Sequence, residues 1–261
     1  NWWTPDYSKN TLFSEKSFNL DGVDDYISMG NPAELQITGN LTLSAWIIHP
    51  SAISGNNFIV GRDDGNTNRN YSMWTRTTGA GFAIFKSGVF TYAQDTVTSV
   101  DDGNWHHIMG VNDGTDLKLY IDGVLKDTNV GGGGTIDNDT VNFTIGDYVV
   151  YSGDEFEGNI DDVAVFNTDK SGSISTIYNS GVPSDLSAES GLIGYWRMGE
   201  GITNWNGTNW QLPDYSKNAL FSQKSFAFDG VNDRVAIGTT SLGITSAISV
   251  SAWVKIPTTD T

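Results

Sequence analysis

The chain has 261 residues, enough for one large β domain or two small ones whose core needs no covalent staples. Fourteen Lys+Arg against thirty-one Asp+Glu leave a formal net charge of −17, which opposes nucleic acid or anionic lipid as a partner and favours capture of cations. The absence of cysteine excludes disulfides, thiol nucleophiles and thiolate zinc sites, and no apolar run reaches the ~20 residues that a membrane helix or its insertion requires.

Charged residues are only 17 %, while Gly counts 30 and aromatics 12 %, a profile of short strands joined by tight turns. In chain order, Asp21-Gly22 opens a turn, and Leu41, Leu43, Ala45 and Ile47 then alternate with Thr42, Ser44, Trp46 and Ile48, so one face of this strand meets a core. Further turns fall at Asp64-Gly65, Asp102-Gly103 and Asp113-Gly114. Leu117, Leu119 and Ile121 run into Asp122-Gly123 and resume at Val124-Leu125, a hairpin signature. Gly131 to Gly134 reads as a flexible hairpin tip, and Val141, Phe143 and Ile145 as another strand. Ile174, Ile177 and Tyr178 sit at helical spacing, with Ser171 or Ser173 as N-cap and Gly181 as the stop. The predicted architecture is an all-β, two-sheet antiparallel jelly-roll sandwich with one short helix, followed by the opening strands of a second copy.

The second copy is written in the sequence. Residues 1–30 return almost intact as residues 209–238, and Leu41 to Trp46 is answered by Ile248 to Trp253. A period of about 208 residues means tandem whole domains, since solenoid repeats run to roughly 20–50. The expected division is a domain at 1–183 that lacks its opening strand, a junction at 184–190 and the N-terminal part of a second domain at 191–261. Residues 191–198 precede the second copy and have no counterpart before Asn1, so they, or a neighbouring chain, are expected to cover the open sheet edge of the first domain.

Six segments in this order resemble the laminin-G-like branch of the concanavalin A-like lectin/glucanase superfamily: Phe18 to Ile27, Leu41 to Trp46, Asn104 to Ile108, Leu117 to Val124, Phe156 to Val163 and Ile174 to Gly181. The resemblance covers residues 10–183, and 191–261 as a truncated copy. It implies a jelly-roll sandwich, and a role as a non-catalytic module of secreted, cell-surface or phage structural proteins, often with calcium.

Asp161 has the strand parity of Val163 and Val165, and an inward carboxylate costs several kcal/mol unless donors or a cation satisfy it. The Asp21 to Asp25 loop adds hard oxygens. Asp21, Asp24 and Asp161, with backbone carbonyls, are therefore candidate ligands of one structural Ca²⁺; the alternative is that these acids close turns through Asx bonds. Glu155 and Glu157 share a strand face but lack the intervening Asp of the laminarinase-like pattern, so the reading is not an enzyme. His106 and His107 point to opposite faces, one packed and one solvated.

Residues 62–76 mix aromatic, amide and charged groups most densely. Arg62, Asp63, Asn70, Tyr71 and Trp74, joined by Tyr148 and Tyr151, form the candidate ligand-binding set. The function that follows is a lectin-like binding and adhesion module for glycans or cell-surface glycoconjugates, placed outside the cell, on its surface or on a virion. The competing function is a structural building block of a fibre, shell or filament, pairing with copies of itself through open sheet edges.

Overall fold

A computed structural model describes residues 17–50, 52–148 and 153–198, together with the backbone of 204–205 and 210–211. The chain divides into two units, Asn1–Gln223 and Lys224–Thr261, and the second lies wholly outside the described residues, as does the strand expected around Ile248 to Val254.

The strands are β1 (Phe18–Asp21), β2 (Ile27–Gly30), β3 (Leu41–Ile48), β4 (Asn56–Asp63), β5 (Arg69–Arg76), β6 (Ala80–Lys86), β7 (Val89–Gln94), β8 (His106–Asn112), β9 (Leu117–Ile121), β10 (Val124–Asn129), β11 (Phe143–Ile145), β12 (Glu157–Phe166) and β13 (Leu192–Trp196), with helix α1 at Ile174–Tyr178. They form two antiparallel sheets. One runs β1-β12-β3-β8-β9-β10 with β13 also on β12, and the other runs β2-β11-β4-β5-β6-β7. Leu43, Ala45, Ile108, Leu119, Val163 and Val165 from the first sheet meet Ile59, Tyr71, Met73, Phe82, Ile84 and Ile145 from the second in one hydrophobic slab. The sheets approach closely: a Cβ on Gly110 of β8 would lie 2.2 Å from the Phe82 ring, so only glycine fits opposite that side chain.

Strand β12 organises the first sheet. Its one edge holds β3 along most of its length; its other edge holds β1 opposite Glu157 to Ile160 and β13 opposite Val163 to Phe166. Residues 192–196 thus cover the edge of the first sheet within the same chain. Between them lies a bulge. Asp161 is opposite Trp46 and Ala164 opposite Ser44, so β12 carries one residue more than β3, with Asp162 at φ 45°. The inward row that includes Ile160 therefore resumes at Val163, and the parity that would have aimed Asp161 alongside Val163 is broken at this point.

The outer face of the first sheet is buried as well. Met109, Val111, Tyr120, Ala164 and Phe166 pack under Ile177, Leu186 and Tyr195 in a second cluster, and the Tyr178 ring stacks on Trp46 at 5.8 Å. Helix α1 ends as Asn179 enters the left-handed region at φ 46°, two residues before the expected glycine, and neither serine caps its start with a side-chain bond. The glycine run is pinned rather than flexible: Lys86 Nζ donates to the carbonyls of Gly131 and Gly133, and Gly134 N–H donates to Asn112 Oδ1.

Both histidines of the pair are buried, because the outer face is covered. His107 lies under Trp46 and Tyr178 with Nε2 on the Ser44 hydroxyl, and its Nδ1 has no partner. His49, at the end of β3, bridges the sheets, its Nδ1 donating to the Glu157 carbonyl and its Nε2 meeting the Thr75 hydroxyl. Burial lowers both imidazoles to about 4. His106 is the reverse case: burial opposes its charge, but Asp122 and Asp102 more than compensate and raise it.

A depressed histidine stays neutral in the fold while the unfolded chain takes up a proton below pH 6.5, so stability is full above that pH and falls towards pH 4. Each site is worth about 3 kcal/mol over this window. The stabilisation from His106 is complete below pH 6.5 and fades only as pH rises through its folded value, so it does not offset the acid loss. Thermal melts between pH 7 and 4.5 are expected to show a falling midpoint whose slope is roughly halved in His107→Gln or His49→Gln. An unchanged slope in both variants would assign the loss to other groups.

Candidate functional site

The densest polar-aromatic stretch of the sequence folds into β4, its turn and β5. Four of its candidate ligand residues are committed to the protein itself. Arg62 is wholly buried, its guanidinium donating to Asn31 Oδ1, Asn138 Oδ1 and the Asp139 carbonyl. Asn70 exchanges bonds with the Asp139 backbone, and the Tyr71 hydroxyl donates to the Leu35 carbonyl at 2.6 Å inside the core. Asp63 is buried under Arg69, which holds it at 2.6 and 3.0 Å, with Ser72 Oγ and Gly65 N–H as further donors. In the structure the polar groups of Arg62, Asp63, Asn70 and Tyr71 are buried and bonded within the protein, and none of the four lines the groove described next. Composition finds polar residues near aromatics but does not tell which of them the adjoining loops will consume.

Trp74 and Tyr148 have a different fate. Both line a cavity of about 450 Å³ on the outer face of the second sheet, together with Asn56, Arg69, Arg76, Phe90, Tyr92, Gln94 and Asp154. The strand registers build it. Gly61, Ser72, Ala83 and Tyr92 form one row across β4 to β7, and Phe58, Trp74, Gly81 and Gln94 form the next. Ser72 and Ala83 keep the middle of the first row low, and Gly81 makes room beside Trp74 in the second. A Cβ on Gly81 would lie 2.2 Å from Trp74 Cζ2, so the indole lies across that glycine. Aromatic rings stand around it: Phe90 is 6.0 Å from Trp74 and 5.3 Å from Tyr92, and Tyr148 packs on Phe58 at 4.3 Å. Arg69 lies 4.5 Å over the Phe85 ring and 5.3 Å over Phe90.

Phe90 and Tyr92 remain 39 % and 45 % exposed although they are large rings on a strand. The sequence reading missed them. The available signal was the alternation of Phe90, Tyr92 and Gln94 in β7, three side chains suited to a ligand on what should have been a solvated face. Tyr151, the remaining candidate, lies outside the described residues.

The groove is polar where it is not aromatic. Burial raises the Asp63 carboxyl even with Arg69 bound to it. Burial, then the charge of Glu155, also raises the Asp154 carboxyl, against the opposing influence of Asn56 and Arg69. Gln94 Nε2 is buried without a partner. Glu155, half-buried, and Glu157, exposed, flank the buried Phe156, and Glu155 Oε2 accepts the Gly153 N–H; neither lines the groove.

The acidic loop is a second feature. Carboxylate oxygens of Asp21, Asp24 and Asp25 lie within 4.8 Å of one another, all exposed. Asp21 Oδ1 accepts the Val23 N–H and Asp25 Oδ2 accepts the Asp21 N–H, so Asx closure is present here. Asp161 does not join this group. It is buried in the β12 bulge, where its Oδ1 accepts the N–H groups of Asp162 and Met198; these backbone donors, rather than the Asp21 loop, compensate its charge.

A family model described as Concanavalin A-like lectin/glucanases superfamily matches residues 21–173. Among solved structures, a protein from Bacteroides ovatus described as carbohydrate binding is similar at a TM-score of 0.54 and 17% identity, over 69% of this chain and 51% of its own. Domains LG4-5 of the mouse laminin alpha1 chain align at 0.48 and 12% identity, over 59% and 41%, and a SAP-like pentraxin from Limulus polyphemus at 0.48 and 15%, over 75% and 90%. At these identities the likeness is one of fold, and the match takes in about half the length of the Bacteroides protein. No curated protein matches the chain.

Arg62 supplies the test that separates scaffold from site. Charge-assisted bonds contribute roughly 1.5–3 kcal/mol each, so Arg62→Met is expected to cost about 3 kcal/mol or more in urea unfolding. A cost below ~1 kcal/mol would return Arg62 to the candidates for ligand contact.

Proposed function

Because this chain belongs to the concanavalin A-like lectin/glucanases superfamily, we propose that its first unit is a non-catalytic glycan-binding module of an extracellular, cell-surface or virion-surface protein. The observation that carries the proposal is the groove on the open sheet face, where half-exposed aromatic rings stand beside amides, arginines and a carboxylate. Sugars present C–H faces to rings and hydroxyls to such polar groups. Phe90 and Tyr92 are the stacking surfaces, backed by the buried Trp74 and Tyr148, with Asn56, Gln94 and Asp154 for hydroxyls. No helix among the described residues is long and apolar enough to cross a membrane.

A binding rather than hydrolytic role is supported by the placement of acids. Retaining hydrolysis needs two carboxyls about 5–5.5 Å apart across the scissile bond. Among the described residues the groove has one carboxylate in its lining, Asp154. The building-block reading is weakened by β13, which fills the β12 edge that would otherwise recruit another copy.

A structural Ca²⁺ belongs to the same proposal, with Asp21 and Asp24 retained as ligands and Asp25 in the place of Asp161. Three carboxylates within 4.8 Å suit a hard cation that takes oxygen ligands at 2.3–2.6 Å. The melting midpoint is expected to rise on adding millimolar Ca²⁺ and to return with EGTA, and Asp24→Asn is expected to abolish that response. A midpoint indifferent to both reagents would leave the loop as an Asx-closed turn.

For the groove, Tyr92→Ala and Phe90→Ala should weaken glycan binding, measured by glycan array and calorimetry, by tenfold or more. Their half-exposed rings predict little change in melting temperature. Retained affinity in both variants would move the binding site elsewhere.

A further inference from the structure

The arginines of the described residues are unequal. Arg62 is spent on Asn31 and Asn138, Arg69 on Asp63, and Arg197 faces Asp162 at 3.7 Å. Among the described residues Arg76 makes no ion pair or side-chain hydrogen bond, yet it is only partly exposed and lines the groove. It stands at the end of β5, opposite Asn56 and two residues beyond Trp74 on the same strand face. In a chain of net charge −17, with thirty-one acids for fourteen bases, a guanidinium with no acid on it is a conspicuous vacancy in charge pairing.

A second donor in the groove is also unmet. Gln94 is aligned with Gly81, the residue over which the Trp74 indole lies, and its Nε2 is buried with no acceptor. Two unanswered donors therefore flank the aromatic floor. Asp154, the acid in the lining, is engaged by Asn56 and faces the field of Arg69. The remote acids of the chain weigh little here, because charges beyond ~8–10 Å are screened at physiological salt.

We propose that the groove selects an acidic sugar residue, one bearing a carboxylate or a sulfate ester, with that anion on the Arg76 guanidinium, a ring oxygen or hydroxyl on Gln94 Nε2, and the sugar face on Phe90 and Tyr92. The planar fork of arginine matches both anions in two-point contact, and such a contact is stronger in a groove partly shielded from water than at an open surface. The assignment rests on the glycan-binding reading and narrows its ligand class.

The test compares paired ligands on the same backbone: an oligogalacturonate with its methyl ester, and a sulfated galactan oligosaccharide with its desulfated form. Calorimetry on the whole chain, Arg76→Gln, Gln94→Ala and Tyr92→Ala is run at 50 and 300 mM salt, with melting curves as the check on folding. The wild type should bind one acidic form at least tenfold more tightly than its neutral partner, and the pair that shows the preference identifies carboxylate or sulfate. The preference should shrink with salt and fall to within twofold in Arg76→Gln, while Gln94→Ala weakens both forms. Equal affinity for acidic and neutral forms, or a preference that survives Arg76→Gln, overturns the acidic class. If the neutral forms then bind through Tyr92, glycan recognition stands without it; if none of the four ligands binds, both readings fall together.

Discussion

The two sheets share one core, but they differ on their outer faces, and this asymmetry decides where the protein can meet a ligand. The first sheet is buried twice. Leu43, Leu119 and Val165 face the slab, while Met109, Ala164 and Phe166 face α1 and the segment that leads to β13. That second layer turns Trp46 and His107 into interior residues. The outer face of the second sheet carries instead the aromatic side chains of β5 and β7, with Phe90 and Tyr92 in contact with water. Exposed rings cost solvation, and it is on these that the proposed binding surface rests.

Strand β12 holds the first sheet together through a compromise. Ten residues must serve β3 on one side and two strands, β1 and β13, end to end on the other. The bulge at Asp161 and Asp162 lies between those two partners, where ladder pairing is interrupted anyway. Its buried carboxylates are used rather than tolerated. Asp161 anchors the backbone of Met198 just beyond β13, and Asp162 accepts the Tyr195 hydroxyl at 2.7 Å within that strand. Two acids in the bulge thus fasten the strand that closes the edge.

Much of this was legible beforehand. Alternation placed Leu41, Leu43, Ala45 and Ile47 in the core, and Asp122-Gly123 marked the β9 to β10 hairpin, since both residues sit at positive φ as a two-residue loop requires. Residues 191–198 were expected at the open edge because they had no counterpart at the start. The failures share one physical origin, that periodicity is a local quantity. It carries straight through Asp161 because a bulge leaves no mark in hydrophobic pattern, and it treats Arg62 and Asn70 as available because their partners, Asn31, Asn138 and Asp139, arrive from distant loops. Trp74 and Tyr148 were named for their ring chemistry and do line the groove, whereas Phe90 and Tyr92 needed the knowledge that no layer among the described residues covers their sheet face.

The acidic loop and the groove are connected through glycine. Gly146, at φ 96°, lets the chain after β11 pass so close that a Cβ there would meet Leu20 at 2.6 Å and the Asp25 carbonyl at 3.3 Å. Its N–H donates to the Ile59 carbonyl and its own carbonyl accepts the Phe156 N–H, so it is clamped between β4 and the start of β12. Two residues later comes Tyr148, whose ring reaches Phe58 and the groove. The loop from Asp21 to Asp25 is therefore the floor on which the Tyr148 segment rests. A cation at that loop would contribute no contact to a sugar in the groove; its effect on binding would be limited to how firmly Asp25 and Leu20 hold Gly146, which makes it a matter of order in one wall. The rings and donors of β5 and β7 have their positions set by sheet register and not by the loop.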